Sequence, residues 1–243
     1  MRSMYRELSR AWGRQHWWPA ESPFEVIIGA FLTQNTAWTN VERALRNLRA
    51  AGKLNIPGIR EVPLAELEQL IRASGHFRQK ARRLKNFIAF LDTRYGGSVQ
   101  RMFATPTVEL RAELLALNGV GPETADSILL YAGNHAIFVV DAYTRRILQR
   151  HNAVSATQTY DEIRQLVERA LRHEPTFPLL PVGPQAAQRP VAHTPSTMST
   201  AERSPLAQTY NEMHGLFVRV GKHHCLKNVP KCEGCPLGPM LKS

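Results

Sequence analysis

Apolar residues recur along most of this chain at the three- and four-residue spacing of helices lying on a core. No stretch alternates apolar and polar positions as a half-buried strand does. Residues 1–18 read as a basic amphipathic helix ending in Trp17-Trp18-Pro19. Adjacent tryptophans on a helix point to different faces, so at least one of them is expected to do more than fill the core. Ser22-Pro23-Phe24-Glu25 predicts a helix start: Ser22 caps, Pro23 fits the first helical position, and Glu25 stands three residues on, as in a capping box. The helix continues through FEVIIGAFLTQNTAWTNVERALRNL, whose apolar face is interrupted by Thr33-Gln34-Asn35-Thr36. Residues 52–68 hold two prolines and short polar helices. Helical patterning resumes in LIRASGHFRQKARRLKNFIAFL, from Leu70, and again from Val108 to Leu117. An amphipathic segment follows Asp141 as far as about Arg172, and LAQTYNEMHGLFVRVGKHHC predicts a final helix that returns to the core. Between these two, residues 175–205 are rich in Pro, Ser, Thr and Ala without helical period, and read as an extended or disordered insertion.

The chain is organised around Leu114 to Arg146, LLALNGVGPETADSILLYAGNHAIFVVDAYTRR. An apolar helical turn leads into a tight turn on Gly119 and Gly121, and Pro122 opens a second helix. Both glycines can take backbone angles closed to other residues, so the turn can approach a surface through bare N–H groups. Those amides and the positive end of the helix dipole make an anion site. The 31 Lys and Arg against 20 Asp and Glu, a net charge of +11, favour a polyanionic partner and salt-dependent binding. Charge alone does not separate nucleic acid from an anionic membrane. The N-terminal MRSMYRELSRAWGRQ lacks an apolar signal core, and no run is long enough to span a bilayer. A cytoplasmic, nucleoid-associated protein without a membrane partner is therefore expected. At 243 residues there is room for one large domain or two small ones.

LNGVGPETA and VVDAYTRR together resemble the hairpin and the aspartate segment of the helix-hairpin-helix DNA glycosylases of the endonuclease III superfamily. Trp17-Trp18-Pro19 and Trp38 resemble the pocket aromatics of the bacterial 3-methyladenine DNA glycosylases of the endonuclease III type. The resemblance covers nearly the whole chain except residues 175–205. It implies an all-α, two-lobed fold. A helical barrel over 22–138 would contain the hairpin (114–126), and a second domain would join 1–21 to 139–243, with a lesion pocket between the lobes. It implies a monomer acting on double-stranded DNA that contains a damaged base. Gln34, Asn35, Gly119, Val120, Gly121 and Thr124 would meet the DNA, with Gln34 filling the gap left by the extruded base. From the residues themselves, Gln34-Asn35 also fits an ordinary helix junction. Lys80, Arg82, Arg83 and Lys85 fit either phosphate contacts or a solvated face, the second being favoured for at least two of them.

Glu123 occupies the position where endonuclease III-type enzymes carry a lysine that forms a Schiff base with the sugar. A carboxylate forms no imine, so weak or absent AP lyase activity is expected. The 3-methyladenine branch carries glutamate there, which points to a monofunctional glycosylase. Asp141 is the expected catalytic carboxylate, with Glu123 as the second candidate. Cleaving an N-glycosidic bond builds positive charge on the sugar, which a fixed carboxylate stabilises, or the carboxylate orients a water to trap it. An isolated aspartate before a helix is also a common N-cap. Trp17, Trp18 and Trp38 would stack on a positively charged alkylated purine, an effect of about 1–2 kcal/mol when desolvated. The resemblance adds Lys222 to that pocket, against the simpler reading of a surface lysine. Two rivals remain: an endonuclease III-like glycosylase and AP lyase for oxidised pyrimidines, and a non-catalytic DNA-binding protein.

The three cysteines, Cys225-x6-Cys232-x2-Cys235, lie together, which suggests a metal loop more than disulfides. In the family a fourth cysteine, after five further residues, completes a [4Fe-4S] site. Leu241 stands there. Three readings stay open: a cluster with a non-cysteine fourth ligand, a zinc site recruiting His223 or His224, and a decayed loop. The cluster is favoured, as a structural group that stiffens a loop carrying Lys227 and Lys231.

Overall fold

The computed structural model describes residues 1–173 and 195–241. Its helices are α1 (Arg2–Trp12), α2 (Pro23–Leu32), α3 (Trp38–Ala50), α4 (Ile56–Glu61), α5 (Leu64–Leu70), α6 (Phe77–Tyr95), α7 (Val99–Phe103) and α8 (Thr107–Leu115). They continue with α9 (Pro122–Ser127), α10 (Ala142–Arg150), α11 (Tyr160–Leu171), α12 (Thr197–Thr200) and α13 (Pro205–His223). Short 3-10 or π turns add to these, and no strand occurs among the described residues. The architecture is all-α. None of the described helices is long and apolar enough to cross a membrane. Two compact units emerge, one spanning Ala20–Gly133 and the other joining Met1–Pro19 to Asn134–Ser243.

In the Ala20–Gly133 unit, α2 is the central rod. Every residue from Phe24 to Leu32 is buried, and each large apolar side chain so enclosed contributes about 1.5–3 kcal/mol. Ser22 caps the helix by accepting from the Glu25 N–H at 3.2 Å, and Pro23 starts it. Glu25 does not return to Ser22. Its carboxylate accepts from the Glu21 N–H at 3.2 Å and meets Arg49 at 2.5 Å. The chain leaves the helix at Thr33, and Asn35 takes a left-handed φ of 51°, which asparagine tolerates. The long predicted helix is therefore two, α2 and α3.

Lys80 corrects the expectation of a solvated or phosphate-binding face. Only 1% exposed, it donates to Leu32 O at 2.7 Å, Ser74 O at 2.6 Å and Thr36 Oγ1 at 2.8 Å. One ammonium thus closes the end of α2, the polar turn after it and the 3-10 turn Arg72–Ser74. Burial, with a smaller push from the Arg83 charge, lowers its pKa to about 8. Lys85 is likewise turned inward onto Arg60 O and Val62 O, whereas Arg82 is exposed. Lys80→Ala is expected to lower stability by about 2–4 kcal/mol, through a cavity and the loss of three hydrogen bonds. A urea midpoint that falls with an unchanged slope is the measurement.

In the other unit, α13 is buried along most of its nineteen residues, and α1, α10 and α11 pack against it. Two glycines allow close approach. A Cβ at Gly221 would lie 2.2 Å from Tyr143 Cδ1, and one at Gly215 would lie 3.0 Å from Gln15 Cβ and 3.2 Å from Trp17 Cβ. The predicted helix over 1–18 stops at Trp12. Gly13, at a φ of 61°, turns the chain out of the helix, so Trp17 and Trp18 do not occupy two helix faces. Both are buried, at 8% and 4% exposure. In the expected insertion, residues 174–194 lie outside the described residues. Residues 195–205 are not featureless: Ser196 and Ser199 form a capping box around α12, and Met198 is buried.

Candidate functional site

Each unit carries its own group of candidate residues. In the Ala20–Gly133 unit the hairpin runs from α8 through Gly119 and Gly121 into α9. Arg111 ties its two helices by gripping the buried Asp126 carboxylate at 2.7 and 3.2 Å. Gly119 has a φ of 81°, whereas Gly121 has a φ of −93°, which any residue adopts. Only Gly119 needs glycine for its backbone. A Cβ there would also sit 2.0 Å from Arg83 Nε, while one at Gly121 would meet nothing within 4 Å. Gly121 thus leaves the start of α9 uncovered. Pro122 begins the helix and Glu123 lies exposed in its first turn. Val120 and Thr124 are buried, so a DNA contact there would fall to the main chain.

Gln34 is tied to this hairpin. Its Nε2 donates to Gly119 O at 3.0 Å and to Thr124 Oγ1 at 2.9 Å, and its Oε1 accepts from Arg83 Nη1 at 2.5 Å. To enter a DNA stack, Gln34 would have to exchange all three bonds. Asn35, next to it, is exposed. Trp38 opens α3, half-buried, with its indole N–H given to Glu42 at 2.9 Å.

In the other unit, Asp141 is the N-cap of α10. Its Oδ1 accepts from the Thr144 N–H at 2.7 Å, which fixes the carboxylate in place. Oδ2 lies 3.6 Å from Nε2 of His214 on α13, and the Asp141 side chain keeps 13% exposure. His214 is buried. Burial holds its pKa below the ordinary 6.5, and the Asp141 carboxylate pulls more weakly the other way. As pH falls through 6.5, the unfolded imidazole therefore takes up a proton that the folded ring resists. The stability is fully present above that pH and declines below it. Urea midpoints at about pH 7.5 and about pH 5.5 should fall more for the wild type than for His214→Asn. An equal fall would remove His214 as the source.

Trp17, Trp18 and Lys222 come together in this unit. The two indoles are 5.1 Å apart at 55°, and the Lys222 ammonium lies 5.8 Å from the Trp17 ring centre.

The three cysteines are free thiols and line one pocket of about 280 Å³, with His151, His224 and Leu241 also in its wall. Arg150 donates to Cys225 Sγ at 3.2 Å, Leu226 O at 2.6 Å and Lys227 O at 2.8 Å. Arg146 donates to Cys225 O at 2.8 Å and Gly221 O at 3.3 Å. Burial raises the Cys235 thiol, and the neighbouring Cys232 and Cys225 raise it further. Among the described residues no three His, Cys, Asp or Glu side chains are close enough to hold one metal ion. Thiols on one pocket wall are the ligand type that both iron–sulfur clusters and zinc take. His223 is exposed and not in the pocket wall, against its proposed place in a zinc site. His151 and His214 were not singled out from sequence, because each meets its partners across a long stretch of chain and no local spacing marks them.

The sequence matches the HhH-GPD superfamily of base excision DNA repair proteins over residues 28–173. A Methanocaldococcus jannaschii protein assigned as a DNA repair glycosylase is 39% identical over 236 residues, which cover 96% of this chain and 92% of that protein. An H. pylori 3-methyladenine DNA glycosylase bound to 1,N6-ethenoadenine superposes with a TM-score of 0.69 at 26% identity. That match covers 91% of this chain and 94% of the other. A trapped endonuclease III–DNA covalent intermediate gives a TM-score of 0.71 at 24% identity, covering 97% and 91%, and shares the fold.

Proposed function

We propose, for a chain that belongs to the HhH-GPD superfamily of base excision DNA repair proteins, a monofunctional glycosylase that excises alkylated purines, 3-methyladenine first. That it is a base excision DNA repair glycosylase follows from the family. The observation that carries the finer reading is Glu123 in the first turn of α9, where a Schiff-base enzyme needs an amine. Base release without strand cleavage then falls to a fixed carboxylate, Asp141, which stabilises the sugar cation or orients the attacking water. An alkylated purine with a positive charge is already a good leaving group, so the protein has little more to supply than base extrusion and charge stabilisation. Similarity to the H. pylori 3-methyladenine enzyme supports this substrate class. The Trp17–Lys222 contact lies at residues expected in the base pocket.

Backbone amides of the hairpin at Gly119 and Gly121 would hold a phosphate of double-stranded DNA. Cys225, Cys232 and Cys235 would hold a [4Fe-4S] cluster, which when bound would stiffen the loop that carries Lys227 and Lys231. Duplexes bearing a stable 3-methyladenine analogue or thymine glycol test the reading. Strand breaks should appear only after hot alkali, and mainly on the methylated purine. Direct breaks at thymine glycol would overturn it, and binding without excision would leave a DNA-binding protein.

A further inference from the structure

We propose that His151 supplies the fourth protein ligand of an iron–sulfur cluster held by Cys225, Cys232 and Cys235, an inference resting on the reading that this loop holds a cluster.

At the sequence position where a fourth cysteine would complete the set stands Leu241, whose side chain has no lone pair to give. Leu241 nevertheless lines the pocket with the three thiols, and so does His151. His151 follows directly after α10, and the main chain of Met240, the residue before Leu241, lies near its ring. An imidazole therefore stands beside the site that the fourth cysteine would fill. Its Nδ1 is buried without a hydrogen-bond partner. A buried nitrogen left unpaired is unfavourable, and a bond to iron would satisfy it.

The other wall groups suit the role less well. His224 directs its Nδ1 at Lys231 O, 3.3 Å away, and its ring is stacked on Trp12 with centroids 5.8 Å apart. Lys231 and Arg150 are cations with no acceptor capacity. Arg150 already serves the cluster side of the loop by donating to Cys225 Sγ, the kind of outer contact that orients a thiolate ligand. Arg150 and His151 are consecutive, so the end of α10 would give the site one sulfur donor contact and one ligand.

The test uses the full chain, purified without oxygen and reconstituted with ferrous iron and sulfide. The wild type is expected to bind about four irons and four sulfides per chain. After reduction with dithionite, pulsed EPR on protein carrying isotope-labelled histidine should show a histidine nitrogen coupled to the cluster. His151→Ala should lose that coupling. His151→Cys should keep the iron and sulfide content with the coupling gone, which separates a missing ligand from a failure to fold. His224→Ala should keep the coupling. A wild-type cluster without nitrogen coupling, or coupling that persists in His151→Ala and disappears in His224→Ala, would overturn the assignment of His151 alone. A wild type that takes up zinc, or no metal, would overturn the cluster reading as well, leaving the glycosylase assay unaffected.

Discussion

Replacing Asp141 with asparagine is expected to cut single-turnover base release by roughly 10²–10³-fold or more while leaving DNA binding and stability nearly unchanged. Two roles meet in this side chain, and asparagine separates them. As an N-cap it accepts the Thr144 N–H, and asparagine caps about as well as aspartate. As a catalytic group it must bring negative charge to the developing sugar cation, which a neutral amide cannot do. The amide also removes the charge that faces His214 across 3.6 Å. Asp141→Ala should lose the same activity and about 1 kcal/mol of stability as well. Gel-shift titration, a urea melt and a single-turnover excision assay give the three readouts. Near wild-type excision by Asp141→Asn would leave Asp141 as a cap and nothing more.

The second large effect is expected at Gly221, a position with no side chain to take part in the chemistry. A Cβ there falls 2.2 Å from Tyr143 Cδ1, well inside van der Waals contact, and the ring has α13 on one side and its own helix on the other. Gly221→Val should therefore push α10 away from α13, at a cost of about 2–3 kcal/mol. Because Asp141 caps α10 and Arg146 donates to Gly221 O, excision should fall along with stability. Tyr143→Ala in the same chain should restore part of the stability, since it removes the ring that clashes. A Gly221→Val protein with an unchanged melting point would mean that α10 gives way without loss.

What was legible in the sequence was local. Ser22 before Pro23 and Asp141 ahead of AYTRR each accept from a backbone N–H three residues on, and Gly119 serves its own left-handed backbone, so the types and their spacing carry the information. Misreadings came where distant chain decides. Trp17 and Trp18 look like the end of an amphipathic helix until Gly13 turns the chain away and α13 packs against Trp17. Lys80 sits in a run of basic residues that fit phosphate contacts or a solvated face alike, but its three oxygen partners come from Leu32, Thr36 and Ser74. No pattern on α6 alone distinguishes it from Arg82. His151 and His214 are equally silent locally, since a histidine on an amphipathic segment carries no sign of what it faces.

The grip of Arg146 and Arg150 on the cysteine loop bears on how the protein tolerates cutting. These two guanidiniums hold Cys225, Leu226 and Lys227 to the far end of α10, and at about 1.5 Å per residue the nine-residue helix is about 14 Å long. A protease that nicks the exposed stretch just beyond, at Asn228 or Val229, would leave the grip itself in place but detach Cys232, Cys235 and Leu241 from it. The severed tail would then stay only by its own contacts. In metal-free protein, mass spectrometry after mild digestion should find the fragment released, on a body whose α10 still carries Asp141 at its opposite end, whereas a cluster shared by Cys225 and the tail cysteines would retain it.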